Sequence, residues 1–173
     1  MGAETTARVS ELYAAKVAAG DISNDPAQAK VVEAFARLEL ELRQRGLAQK
    51  SSALGWLFQR RAPMAPKGLY IYGKVGRGKT MLMDLFFSAL PARSKRRAHF
   101  HEFMGDVHER IFKEREAQKK GERKTADPIA PVAQALADEA KLLCFDEFHV
   151  TDIADAMILG RLFEKLFADA VVV

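Results

Sequence analysis

The apolar run Leu69-Tyr70-Ile71-Tyr72 leads directly into Gly73-Lys74-Val75-Gly76-Arg77-Gly78-Lys79-Thr80, and few architectures can hold that succession. The eight residues fit G-x-x-x-x-G-K-[ST], whose mechanical setting is a strand, a glycine-rich turn and the first turn of a helix. Glycines let the backbone wrap closely around an anion, while successive N–H groups and the positive end of the helix favour negative charge. The run therefore predicts a buried strand at 69–72, a phosphate loop (P-loop), and a helix beginning near Lys79. Lys79 would reach the β- and γ-phosphates of ATP and Thr80 would offer its hydroxyl to Mg²⁺. The expected nucleotide-binding set is Gly73, Lys74, Val75, Gly76, Arg77, Gly78, Lys79 and Thr80. Lys74 and Arg77 fill unspecified positions of the motif and are read as solvent-exposed, not catalytic. A turn that binds nothing would not need a lysine followed by a threonine at that point.

Such a loop requires a second strand that ends in an acid, and Leu142-Leu143-Cys144-Phe145-Asp146-Glu147 has four apolar residues before two carboxylates. Asp146 is expected to hold Mg²⁺ through its water shell. Glu147, with Lys79 the expected catalytic pair, would orient or deprotonate the attacking water. Asp146-Glu147-Phe148-His149 also spells a helicase box, but a helicase core of that class needs two ATPase lobes and 173 residues hold at most one. His149 either couples the nucleotide site to a neighbouring element or is a hydrogen-bonded loop histidine.

Around these motifs the periodicities alternate. Val9, Leu12, Tyr13 and Val17 recur at helical spacing up to Gly20. Asp25-Pro26-Ala27-Gln28 has an N-cap, a proline at the first helical position and a capping-box glutamine, and Gly46 is expected to close the helix through Val31, Phe35, Leu38 and Leu42. Residues 1–62 thus read as a helical N-terminal extension, with Pro63 and Pro66 breaking the pattern before the core at 63–173. In that core, helices beginning near Lys79, Glu102, Pro131 and Asp152 alternate with strands near 98–101, 142–146 and 170–173. The fold class expected is α/β, a parallel sheet with flanking helices. The stretch from Gln118 to Thr125 reads as a mobile loop before the Asp127-Pro128 helix start. Asp152 and Asp155 fit a helix N-cap and first turn.

Composition narrows function by exclusion. With 27 basic and 23 acidic residues, the charge of +4 is too mild to imply a nucleic-acid partner. Arg93, Lys95, Arg96 and Arg97 form one basic cluster, best read as a solvated helix face or loop. The single cysteine, Cys144, excludes an intramolecular disulfide and, inside an apolar run, is expected to be a small buried hydrophobe without chemistry. His99 and His101 share a strand face in this reading, but no further ligand completes a metal set. No apolar run reaches the length of a membrane span and no secretory signal is visible, so a cytoplasmic location is expected. The myristoylation-like opening Met1-Gly2-Ala3-Glu4-Thr5-Thr6 is read as chance.

Three stretches extend beyond generic phosphate-loop signatures: Tyr72-Gly73 through Met83-Asp84-Leu85-Phe86; His99-Phe100-His101 with Phe103-Met104; and Leu143 through Asp152. On these the chain resembles the ZapE-type cell-division ATPases of bacteria and their mitochondrial Afg-type relatives. The resemblance implies an AAA+ ATPase fold, hydrolysis of Mg-ATP and self-association. For bacterial members it also implies recruitment to the division septum and action on the tubulin-like division protein. Glu4 and Glu11 interrupt the acid-poor composition of a transit peptide, which favours the bacterial assignment. Relatives continue into a sensor residue, an arginine finger, a fifth strand and a helical lid. The chain is therefore expected to be C-terminally incomplete, with an open sheet edge and weak or absent turnover by itself. Two rival readings are an ATP-responsive adaptor without motor activity and a DNA-associated AAA+ loader that uses Arg93 to Arg97.

Overall fold

Asp25 starts the longest helix of the chain by chemistry visible in the sequence. Its carboxylate accepts the Ala27 N–H at 2.8 Å, and Pro26 follows it, where a missing N–H costs nothing. The computed structural model describes residues 7–51, 65–91, 95–123 and 127–173, with 46–51 as helix backbone. They fall into two compact units, 1–92 and 93–173.

The first unit holds α1 (Val9–Ala18), α2 (Pro26–Ser51) and α3 (Lys79–Ala89), which pack on one another. α1 closes as expected at Gly20: the Asp21 N–H bonds back to the Lys16 carbonyl, and Gly20 takes φ +77°, which a side chain would oppose. Phe35 of α2 and Phe86 of α3 stack at 4.4 Å between centroids, with Val9, Tyr13, Leu38 and Leu82 buried around them. Glu39 is only 3% exposed. It is tolerated there because it accepts the otherwise orphaned Val9 N–H at 3.0 Å and pairs with Arg43 at 2.8 Å, while Arg43 also donates to the Ala89 carbonyl at 2.7 Å. One buried carboxylate thus joins the start of α1 and, through Arg43, the end of α3.

Two expectations fail in this unit. Gly46 does not end its helix; α2 runs on to Ser51, since a lone glycine costs only about 1 kcal/mol in a helix interior. The expected strand at 69–72 does not form: residues 65–74 have no regular secondary structure, and Leu69, Tyr70 and Tyr72 are exposed. Strand propensity is realised only through ladder partners and a face to bury, and neither follows from the run itself.

The second unit holds β1 (Lys95–His99), α4 (Phe100–Lys119), α5 (Ile129–Glu139), β2 (Leu142–Asp146) and α6 (Ile153–Ala168). β1 and β2 pair in parallel, with Lys95 opposite Leu142 and His99 opposite Asp146, and the connection between them carries two helices. Val172 adds a single parallel bridge to Leu142 on the other side of β2, so 170–173 contributes one bridge where a strand was expected. β1 ends at His99, earlier than expected, which places His101 on α4. Of the basic cluster, Lys95, Arg96 and Arg97 form most of β1 instead of a solvated helix face or loop, and Arg93 lies outside the described residues.

The apolar faces of α4, α5 and α6 meet over β2 in a core built on Phe103, Val107, Leu136, Leu143, Leu162 and Leu166. Phe145 joins it, with Phe103 at 4.5 Å and Phe163 at 6.3 Å between ring centroids. α5 begins at Ile129, whose N–H is capped by Asp127 at 2.9 Å, close to the expected start. α6 begins after Asp152, whose carboxylate caps Ala154 and Asp155 as expected. Gln118 and Lys119 complete α4, with Gly121 at φ +76° in the turn that follows, so the start of the expected 118–125 loop is helical; residues 124–125 lie outside the described ones. Among the described residues no helix is long and apolar enough to cross a membrane.

Candidate nucleotide site

The phosphate loop opens α3. Gly76 and Gly78 both take φ +76°, a region closed to ordinary side chains, which explains glycine at these two positions in mechanical terms. Gly78 is also crowded: a Cβ there would lie 3.0 Å from Nε2 of Gln28. Lys79, the first residue of α3, folds its ammonium back over the loop and donates to the Gly73 carbonyl at 3.1 Å and the Lys74 carbonyl at 2.9 Å. Thr80 follows on the first turn of α3, exposed. Val75 is almost wholly exposed at the loop tip.

A cavity of about 400 Å³ lies against this loop, within the size range of small-molecule sites. It is lined by Ile71, Tyr72, Gly73, Lys74, Arg77, Lys79 and Leu82 together with Asp25, the residue before α2, and Ala27, Gln28 and Val31 of α2. Three cations against one carboxylate give the wall a positive excess suited to a polyanion. The positive-φ glycines, the helix start and the ammonium over the loop fit a nucleotide phosphate chain, and the lysine need only exchange two carbonyl partners for phosphate oxygens.

The acidic half of the expected site lies in the second unit. Asp146 ends β2 with its side chain 16% exposed, 3.5 Å from Nη2 of Arg97, and its Oδ1 accepts the Glu147 N–H at 3.1 Å. Glu147 is exposed and takes φ +55°, an unusual conformation for a side-chain-bearing residue. Its placement at a strand end puts Asp146 where a carboxylate oxygen could serve a divalent ion. Thr80 belongs to the first unit and Asp146 to the second. Among the described residues no group of three or more histidine, cysteine, aspartate or glutamate side chains is gathered to hold a metal.

The remaining candidates resolve as follows. Cys144 is buried in β2. His99 and His101 stack at 5.9 Å between rings although only His99 is on the strand, and Nδ1 of His99 is buried without a hydrogen-bond partner. His149 is exposed after β2. Arg96 and Arg97 face inward partners: Arg96 pairs with Asp106 at 2.7 Å and Glu139 at 3.6 Å, and Arg97 with Asp146. Arg77, expected to be a solvent-exposed bystander, is half exposed yet bound to Asp25 at 2.8 Å.

Asp25 and Gln28 are the site residues that the motifs did not reveal. Both read in sequence as helix-start residues, and Asp25 does cap α2. Gln28 does not close a capping box. It donates instead to the Arg77 carbonyl at 3.2 Å, a contact across 49 positions that no local signal announces.

A sequence profile described as AFG1-like ATPase matches residues 6–173. Lactation elevated protein 1 homolog B of Danio rerio is 57% identical over 114 residues, covering 64% of this chain and 23% of that protein. An uncharacterised Schizosaccharomyces pombe protein, C115.02c, is 40% identical over 190 residues, covering 94% of this chain and 41% of that protein. The cell division protein ZapE of Escherichia coli is 49% identical over 102 residues, or 59% of this chain and 25% of ZapE. The chain spans well under half the length of these curated relatives. No solved structure gives a significant match. With a profile match across nearly its whole length, the chain belongs to the AFG1-like ATPase family.

Proposed function

We propose that this chain is the nucleotide-binding part of an AAA+ ATPase that uses Mg-ATP to remodel a protein partner, in the manner expected of a cell-division factor. The observation that supports this best is the ammonium of Lys79, poised over the carbonyls of Gly73 and Lys74 beside a cavity of about 400 Å³. Bound Mg-ATP supplies the phosphoanhydride to be cleaved. In this reading the backbone N–H groups of residues 73–80 and the Lys79 ammonium receive the phosphate charge. The Thr80 hydroxyl and the Asp146 carboxylate would be the residues to hold the metal, and Glu147 would orient or deprotonate the attacking water. The division of the chain into an N-terminal extension at 1–62 and an ATPase core at 63–173 belongs to the same proposal. So do self-association, the tubulin-like division protein as partner and recruitment to the septum; the relative named as a cell division protein supports the division role alone.

The first test is titration of the chain with ATP and Mg²⁺ by calorimetry beside Lys79→Ala, with circular dichroism on both. Saturable binding that is lost in a folded Lys79→Ala variant is the expected result. Absence of binding by a folded unsubstituted chain would overturn the reading.

A further inference from the structure

We propose that Asp25, which caps α2, and Gln28, on the first turn of α2, are positioning residues that lock the phosphate loop in its anion-receiving conformation. The contacts form a closed chain. Asp25 spends one carboxylate oxygen on the Ala27 N–H at 2.8 Å, which caps α2, and the other on Nη2 of Arg77 at 2.8 Å. Gln28 accepts from the Tyr13 hydroxyl at 3.3 Å and donates to the Arg77 carbonyl at 3.2 Å. Tyr13 is a buried residue of α1 and orients the glutamine amide so that its NH₂ end meets the loop. Side chain and backbone of Arg77 are therefore both held from α2, and α1 holds the holder.

The consequence for the loop follows from peptide geometry. The peptide joining Arg77 to Gly78 is planar and trans, so the Arg77 carbonyl and the Gly78 N–H point in opposite directions. Anchoring the carbonyl on Gln28 fixes the plane of that peptide and with it the direction in which the Gly78 N–H donates. Gly78, at φ +76°, could otherwise rotate freely about that plane. The lock thus removes the freedom that makes glycine loops costly to order on binding. It rests on the ATP-binding reading for its purpose, though not for its existence.

The decisive substitution is Gln28→Glu, which keeps the size and the acceptor for Tyr13 but removes the donor to Arg77; Asp25→Asn is the second variant, in case the first fails to fold. Two readouts are needed. Amide hydrogen exchange in the nucleotide-free chain should quicken at residues 75–79 in each variant while α5 and α6 are unchanged. Affinities for Mg-ATP and for inorganic tripolyphosphate should fall together, each about two- to tenfold, the range for one lost hydrogen bond. A loss for ATP alone would assign Gln28 to the nucleoside and overturn the lock, as would unchanged exchange and affinity. If the unsubstituted chain binds neither ligand, the ATP-binding reading fails by itself. Hydrogen exchange then decides the lock, with faster exchange at 75–79 supporting it and equal exchange overturning it.

Discussion

Ala170 ends α6 in the left-handed region, φ +61°, where the Val171 N–H bonds back to the Leu166 carbonyl and the Ala170 N–H to that of Phe167. Gly20 and Gly121 do the same work after α1 and α4 without strain, so their turns are legible in sequence as helix followed by glycine. Alanine announces nothing of the kind. A Cβ in this region costs roughly 1–2 kcal/mol, partly offset by the stiffer unfolded chain. Ala170→Gly is accordingly expected to stabilise the protein by up to about 1 kcal/mol, read as a higher urea midpoint at constant slope. An unchanged or lowered midpoint would show that the turn is not strained. Glu147, at φ +55°, is the other case, and there the strain coincides with the residue expected to meet the attacking water.

Helix and strand boundaries were legible wherever local chemistry sets them. β2 spans the apolar run before Asp146, α3 starts at Lys79, and α6 starts at its aspartate cap, because caps and apolar periodicity act over a few residues. β1 was less legible, since Lys95, Arg96 and Arg97 look like surface residues until their partners are known. The partners are on other elements: Arg96 and Arg110 enclose Asp106, each at 2.7 Å, and Arg110 also reaches Glu139 at 2.6 Å. Burial alone would push the Asp106 carboxyl up, but Arg110 and Arg96 outweigh it and hold it below its ordinary 3.8. Arg110 is correspondingly pushed up, by Glu139 first and then Asp106. Since the Asp106 carboxyl titrates lower in the folded than in the unfolded chain, its stabilisation is complete above about pH 4 and is lost as pH falls through the folded value. Asp106→Asn should therefore lower stability near pH 7 by about 1–3 kcal/mol and flatten the acid limb of a stability-against-pH curve. A variant with an equally steep acid limb would place that limb's origin elsewhere.

For the molecule as a whole, the charge of +4 is mild, and Arg96 and Arg97, two of the four cations of the basic cluster, are paired within their own unit. Neutralising both arginines is expected to destabilise the second unit while leaving unchanged the slope of any DNA affinity against salt; a slope reduced by about one per arginine would instead favour the DNA-loader reading. The glycine turn before α3 and most helix starts could be read from the amino acids alone, because capping, periodicity and glycine's backbone freedom operate over a few consecutive residues. Tertiary contacts alone decided that the 69–72 run stays outside any strand, that a basic segment forms β1 around internal ion pairs, and that Asp25 and Gln28 grip a loop some fifty positions away. Each of those outcomes depends on which distant group arrives opposite a side chain, and pairings across such separations leave no periodicity in the chain that makes them.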